Sequence, residues 1–167
     1  MTARPLLLFP LLAATLALGC LGSEPPAIAL YPNAATVRLP PDQVATLIGP
    51  IARVDDHDVT DLGGPFELLP GCHVVELTRR IPNNGYALST GTYFTGQLPV
   101  AIFALPMKPG ARYVLRRDLI PAGTGMQVRL AFSAREELPG GAATDLHPSF
   151  AWHDVVDCRA THAATAR

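Results

Sequence analysis

The sequence predicts an all-β domain, a small antiparallel β-sandwich that occupies residues 35–158. The whole chain of 167 residues contains 17 prolines and 14 glycines, and prolines this frequent interrupt long helices. The apolar runs are short, and they either alternate with polar residues or are rich in β-branched residues, as is typical of strands. Turn signals such as Pro-Gly separate the runs. Short strands joined by frequent turns favour a sandwich or a small barrel.

Nine segments of the domain are predicted to be strands. They are residues 36–39, 44–48, 51–54, 66–69, 72–78, 100–105, 112–117, 126–132 and 150–158. Gly49-Pro50 is predicted to form a bulge or bend between the second and third. Lys108-Pro109-Gly110 is predicted to join residues 100–105 and 112–117 as a hairpin. Residues 136–149 have the composition of a loop.

Both ends of the chain lack a core-forming pattern. Residues 20–34 contain Gly22, Ser23 and three prolines, which indicates a short tether. Residues 159–167 are predicted to be a flexible tail.

The N-terminal segment has the features of an export signal. Arg4 supplies a positive charge, and residues 6–18 form an apolar run. This run is shorter than the roughly 20 residues of a transmembrane helix and matches a secretory signal. Residues 1–19 are therefore expected to be a cleaved signal peptide. The alternatives are an ordinary cleavage near Gly22 or Ser23, which would discard Cys20, and a retained helix.

Leu16-Ala17-Leu18-Gly19-Cys20 resembles the lipobox of bacterial lipoprotein precursors. The resemblance implies that the Cys20 thiol accepts a diacylglyceryl group and that the small Gly19 lets the peptidase approach. The partner is then a lipid bilayer, because a multiply acylated cysteine anchors a protein stably. Leu21 follows the cysteine, where the signal for inner-membrane retention has Asp. The expected location is the outer membrane, with the domain facing the periplasm or the cell surface.

Two cysteines remain once Cys20 is lipidated. An exported chain lies in an oxidising compartment, where a remaining pair of cysteines forms a disulfide. We therefore expect a bond between Cys72 and Cys158. Two buried, reduced thiols are the alternative.

A further resemblance covers residues 51–117. It is carried by a strand that ends at Val54-Asp55, by Leu68-x-Pro70-Gly71-x-His73-x-Val75, and by the strand after Pro109-Gly110. These motifs resemble PEGA-like surface domains and domains of uncharacterised bacterial envelope lipoproteins. The resemblance implies a β-sandwich at the cell envelope and implies no catalytic residues.

Four consecutive polar residues form the strongest candidate for a metal site. Asp55, Asp56, His57 and Asp58 could bind a divalent ion with help from His153 or Asp154. Their spacing matches neither an EF-hand loop nor a zinc motif. A solvated turn is therefore the favoured interpretation.

His73 is expected to pack beside the Pro70-Gly71 turn and to hydrogen-bond the backbone. It cannot pair with its neighbour Cys72, since adjacent side chains on a strand point to opposite faces.

Composition narrows the function further. The chain has 13 basic and 14 acidic residues, which argues against a nucleic-acid partner and against a polybasic membrane patch. The sequence contains no nucleophile elbow, P-loop, Cys-x-x-Cys or His-Glu-x-x-His motif, and no cofactor is predicted. The expected function is a non-enzymatic module that binds or scaffolds an envelope protein or glycan. The alternative is a lipid-anchored hydrolase or metal-binding protein that uses residues 55–58.

Overall fold

The computed structural model describes residues 25–78, 100–121 and 128–165. Cys20 and the predicted signal peptide, residues 1–19, lie outside these ranges. Within them, ten strands form two sheets and one α-helix follows. The predicted β-rich fold class is therefore confirmed.

One sheet has six strands in the order β1-β5-β2-β8-β9-β10. In that order the strands are Ile28–Ala29, Phe66–Leu68, Ala45–Ile48, Arg112–Pro121, Val128–Glu137 and Ala143–Leu146. The sheet is mixed, because β1 pairs with β5 and β2 pairs with β8 in parallel. The prediction of purely antiparallel strands is wrong here. After β2 the chain crosses to the other sheet instead of returning in a hairpin, and crossovers bring parallel neighbours together.

The second sheet has four antiparallel strands in the order β4-β3-β6-β7. In that order they are His57–Asp58, Ile51–Val54, Gly71–Leu77 and Ile102–Met107. The helix α1, Trp152–Thr165, packs against β6 and β7. Strand β6 therefore has apolar side chains on both faces, which explains the consecutive buried residues Val74 and Val75.

Two short turns carry the chain from one sheet to the other. Gly49-Pro50 forms the predicted bend between β2 and β3. The hairpin predicted at Lys108-Pro109-Gly110 is wrong, because β7 and β8 lie in different sheets. The backbone of this turn instead joins β2, since Gly110 N donates to Val44 O at 2.8 Å. Strand β8 then pairs with β2 in parallel and does not pair with β7.

Side chains from both sheets form one buried cluster. Leu47, Phe66, Tyr113 and Leu115 come from the six-stranded sheet, and Val54, Val75, Leu77, Phe103 and Leu105 come from the four-stranded sheet. A second, smaller cluster lies under the helix and joins Val155 and Cys158 to Val74 and Ala104.

The C-terminal segment is helical, so the strand predicted for residues 150–158 is wrong. The residues for which a flexible tail is predicted are helical as far as residue 165. Val155 and Cys158 are three residues apart and share the face that contacts the sheet. Ser149 favours the helix start, since its Oγ accepts from Ala151 N and donates to Asp154.

Two further predictions fail near the edges of the six-stranded sheet. Residues 36–39 are not a strand, because Thr36 N and Oγ1 both donate to Asn33 O in a turn. The predicted tether instead contains β1, where Ile28 N donates to Pro65 O at 2.8 Å and Leu30 N donates to Glu67 O at 2.9 Å.

The predicted loop at residues 136–149 also contains regular structure. Strand β9 extends to Glu137, and β10 pairs with it in an antiparallel arrangement. Turn-forming glycines, Gly140 and Gly141, connect the two strands with positive φ angles of 99° and 88°.

Candidate functional site

The β3–β4 turn places Asp55 against β6. Asp55 has a φ of 51°, a conformation that Asp tolerates better than most residues. Its backbone N donates to Val74 O at 2.8 Å, and its Oδ1 accepts from Val74 N at 2.8 Å. Its Oδ2 lies 2.7 Å from His73 Nδ1. The carboxylate is therefore held by two neighbouring residues of β6.

His73 is buried, and both of its ring nitrogens face oxygen atoms. Nδ1 faces Asp55, and Nε2 lies 2.7 Å from Leu69 O. A carbonyl oxygen only accepts hydrogen bonds, so Nε2 carries a proton. Burial lowers the pKa of His73, but the hydrogen bond and charge of Asp55, with the bond to Leu69, outweigh it and raise the pKa above its usual value. Below this raised pKa, His73 donates from both ring nitrogens and the contact with Asp55 is a buried ion pair.

The four candidate metal ligands, Asp55 to Asp58, do not point to a common site in the structure. Asp56, His57 and Asp58 are exposed, while Asp55 is turned towards β6. Asp58 Oδ1 accepts from Thr60 N at 3.1 Å and from Thr60 Oγ1 at 2.8 Å, and these bonds lower the pKa of Asp58. The residues form a structured turn followed by the short strand β4.

His153 belongs to a different part of the molecule. Its Nε2 lies 3.0 Å from Asp154 Oδ1 at the start of α1. Within the described ranges, no group of three His, Cys, Asp or Glu residues is arranged to hold a metal ion.

The Asp55–His73 contact is the feature that the sequence analysis missed. The expected bond between His73 and the backbone is present, at Leu69 O. The ion pair depends on the pairing of Val54 with Val75, which brings two residues 18 positions apart into contact. Neither residue signals that register on its own.

A cavity of about 370 Å³ lies beside this ion pair. Its wall is mostly apolar and comes from the end of β1, the β5–β6 turn and α1. The apolar side chains are those of Leu30, Tyr31, Pro32, Leu68, Leu69 and Pro70. Asp55, His57 and His73 supply the polar part, and Thr161 of α1 completes the wall.

The predicted disulfide forms part of the same wall. Cys72 and Cys158 are bonded, with their Cα atoms 5.3 Å apart, and Cys72 lines the cavity. The bond fixes α1 to the start of β6, and the same helix carries Thr161 to the cavity.

A second polar cluster holds the β7–β8 crossover. Tyr113 OH donates to Glu136 Oε1 at 2.6 Å and accepts from Lys108 N at 2.8 Å, and Lys108 Nζ donates to Glu136 Oε2 at 2.9 Å. Burial and the bond to Glu136 raise the pKa of Tyr113 to about 12. The bonds from Lys108 and then Tyr113 lower the pKa of Glu136. Over the neutral pH range the Glu136 carboxylate therefore stays ionised and the Tyr113 phenol stays neutral.

The second cavity, of about 540 Å³, lies next to this cluster. Lys108 and Glu136 line it, together with Asp154 and Asp157 of α1. Glu136 is already paired with Lys108, so the cluster fastens β7, β8 and β9 together.

Comparisons of the chain with protein-family models, curated proteins and solved structures give no match. No helix in the described part of the chain has the length and apolar character needed to cross a bilayer. The ion pair, the apolar cavity and the disulfide are the features from which a function is inferred.

Proposed function

We propose that the chain is a lipid-anchored binding module of the bacterial cell envelope, exported by residues 1–19 and attached through Cys20. The Cys72–Cys158 disulfide is the observation that carries this proposal, because stable disulfides are characteristic of oxidising compartments outside the cytoplasm. It agrees with the export signal and with the Leu18-Gly19-Cys20 motif.

The domain is proposed to be a β-sandwich. Two sheets contribute side chains to one buried cluster, as expected when sheets pack face to face. The helix on the outer face of β6 and β7 is an addition to that plan.

The tether between the lipid and the domain is short. Strand β1 begins at Ile28, eight residues after Cys20, and eight residues of fully extended chain reach at most about 29 Å. The domain is therefore proposed to lie close to the bilayer. Leu21 stands where an inner-membrane retention signal has Asp, so the proposed location is the outer membrane.

The chemistry of the site favours binding over hydrolysis. A histidine that acts as a general base needs a ring nitrogen within hydrogen-bond reach of the proton it takes, and both His73 nitrogens contact Asp55 and Leu69 instead. A cysteine nucleophile needs a thiolate, and Cys72 is in a disulfide. The alternative of a hydrolase or metal-binding protein based on residues 55–58 has less support, since His153 pairs with Asp154 instead.

Metabolic labelling with a radioactive or clickable fatty acid tests the anchor. We expect label on the wild type and none on Cys20→Ala. The matched control is the double variant Cys72→Ala/Cys158→Ala, which loses the other two cysteines and should label normally. Equal incorporation in the wild type and Cys20→Ala would contradict the proposal.

A further inference from the structure

We infer that the 370 Å³ cavity binds an uncharged hydrocarbon group, of the kind found in a medium-length acyl chain. This inference rests on the proposed binding function and names the ligand class. The cavity volume falls in the range of ordinary small-molecule sites.

The segments around the cavity are fixed in place before any ligand arrives. Tyr31 is buried, and its OH accepts from Leu39 N at 3.0 Å. The β5–β6 turn is held by the bond between His73 Nε2 and Leu69 O. The disulfide holds α1 against the start of β6. A preformed site binds with a smaller ordering cost than one that must be assembled around its ligand.

The wall selects against charged and strongly polar ligands. Its apolar side chains are Leu30, Tyr31, Pro32, Leu68, Leu69 and Pro70. The opposite charges of Asp55 and His73 face each other, and the remaining Asp55 oxygen accepts from Val74 N. An ion entering the cavity would lose its hydration against a mostly apolar wall, and the charges of Asp55 and His73 already neutralise each other. A glycan would face the same cost at each hydroxyl group.

The exposure of Leu69 provides a separate argument. Leu69 lines the cavity and is 39% exposed, and its neighbours Pro70 and Gly71, which also line the cavity, are exposed too. A hydrocarbon group in the cavity would cover this leucine and remove apolar surface from water.

Photocrosslinking of the full chain tests the inference in two arms. The first arm uses diazirine-bearing decan-1-ol in aqueous solution, and the second uses phosphatidylcholine vesicles with a diazirine in one acyl chain. Peptide mapping by mass spectrometry should place the label on residues 66–71 or 30–32. Labelling in both arms identifies a membrane lipid as an accessible source, and labelling in the first arm alone identifies a free ligand.

Two tryptophan substitutions make the test specific. Thr161 is an exposed helix residue on the cavity wall, so Thr161→Trp should fill the cavity and lower cavity labelling by about tenfold, equivalent to about 1.4 kcal/mol of binding. Val37 is 56% exposed and does not line the cavity, so Val37→Trp is the matched control and should label like the wild type. Circular dichroism and thermal unfolding of both variants verify the fold.

Labelling confined to other surfaces, or equal cavity labelling in the wild type and Thr161→Trp, would overturn the inference. The first arm contains no membrane. Its failure is therefore distinct from a failure of lipidation, which the fatty-acid labelling of Cys20 reports.

Discussion

His73 Nδ1 lies 2.7 Å from Asp55 Oδ2, and both side chains are almost completely removed from solvent. A buried charge pair of this kind makes stability depend on pH, because the pKa of His73 is raised in the folded protein. The folded state therefore binds a proton more tightly than the unfolded chain.

The first prediction concerns that pH dependence. The stability contributed by protonated His73 is fully present below its unfolded pKa, about 6.5, and is lost as pH rises through the raised folded pKa. Urea unfolding of the wild type from pH 5.5 to 9 should show the free energy of unfolding falling across this window. His73→Gln should remove the fall. His57→Gln changes an exposed histidine of β4 and should keep the fall. An equal slope in His73→Gln would refute the assignment.

The second prediction compares how much Asp55 and its neighbour Asp56 contribute to stability. Asp55→Ala leaves the His73 charge and Val74 N without the carboxylate, and breaking a buried pair costs about 3–5 kcal/mol. Asp56→Ala changes an exposed carboxylate in the same turn and should alter stability by less than about 0.5 kcal/mol. Chemical denaturation of both variants at pH 6 measures the difference. Similar values for the two would mean that Asp55 acts only as a turn residue.

The third prediction concerns the bend between the sheets. A Cβ on Gly49 would lie 2.7 Å from Leu115 O and 2.8 Å from Leu115 Cβ, and Gly49 has a φ of 149°. Gly49→Ala should therefore destabilise the fold by about 2–3 kcal/mol through overpacking. Gly63 also has a positive φ, 52°, but a Cβ there meets nothing within 4 Å. Gly63→Ala should cost only about 1–2 kcal/mol of backbone strain. The thermal midpoints should rank accordingly, and the reverse order would contradict the steric explanation.

The strands that the sequence predicts best are those with strong local signals. Apolar runs bounded by turns located β2, β3 and β6 to within a residue or so. The β7–β8 connection was not predictable, because Pro109-Gly110 has the same local chemistry in a hairpin and in a crossover. The two-residue β1 is specified by its pairing with β5 and has no pattern of its own.

In the helix and the site as well, some features were predictable from the sequence and others were not. Among the described side chains of α1, burial is limited to Val155 and Cys158, too few to produce a clear helical pattern in the sequence. The disulfide was predictable from the count of cysteines and the expected compartment. The cavity and the Asp55–His73 pair were not, because they depend on how separate turns and α1 converge.

The last prediction concerns how α1 is held. Since only Val155 and Cys158 of its described side chains are buried, packing alone gives α1 a weak attachment. Removing the disulfide, which joins residues 86 positions apart, should cost about 4–5 kcal/mol in the chain-entropy model. The helix should unfold locally before the sheet does, because β8 and β9 are held together by ten paired residues.

Hydrogen exchange of the wild type and Cys72→Ala/Cys158→Ala measures this order. Amide protection should fall over Trp152–Thr165 under conditions where β8 and β9 remain protected. Val156→Ala, an exposed substitution in the same helix, is the control and should leave protection in place. If the double variant keeps wild-type protection across α1, then the contacts of Val155 with Val74 and Ala104 hold the helix without the disulfide.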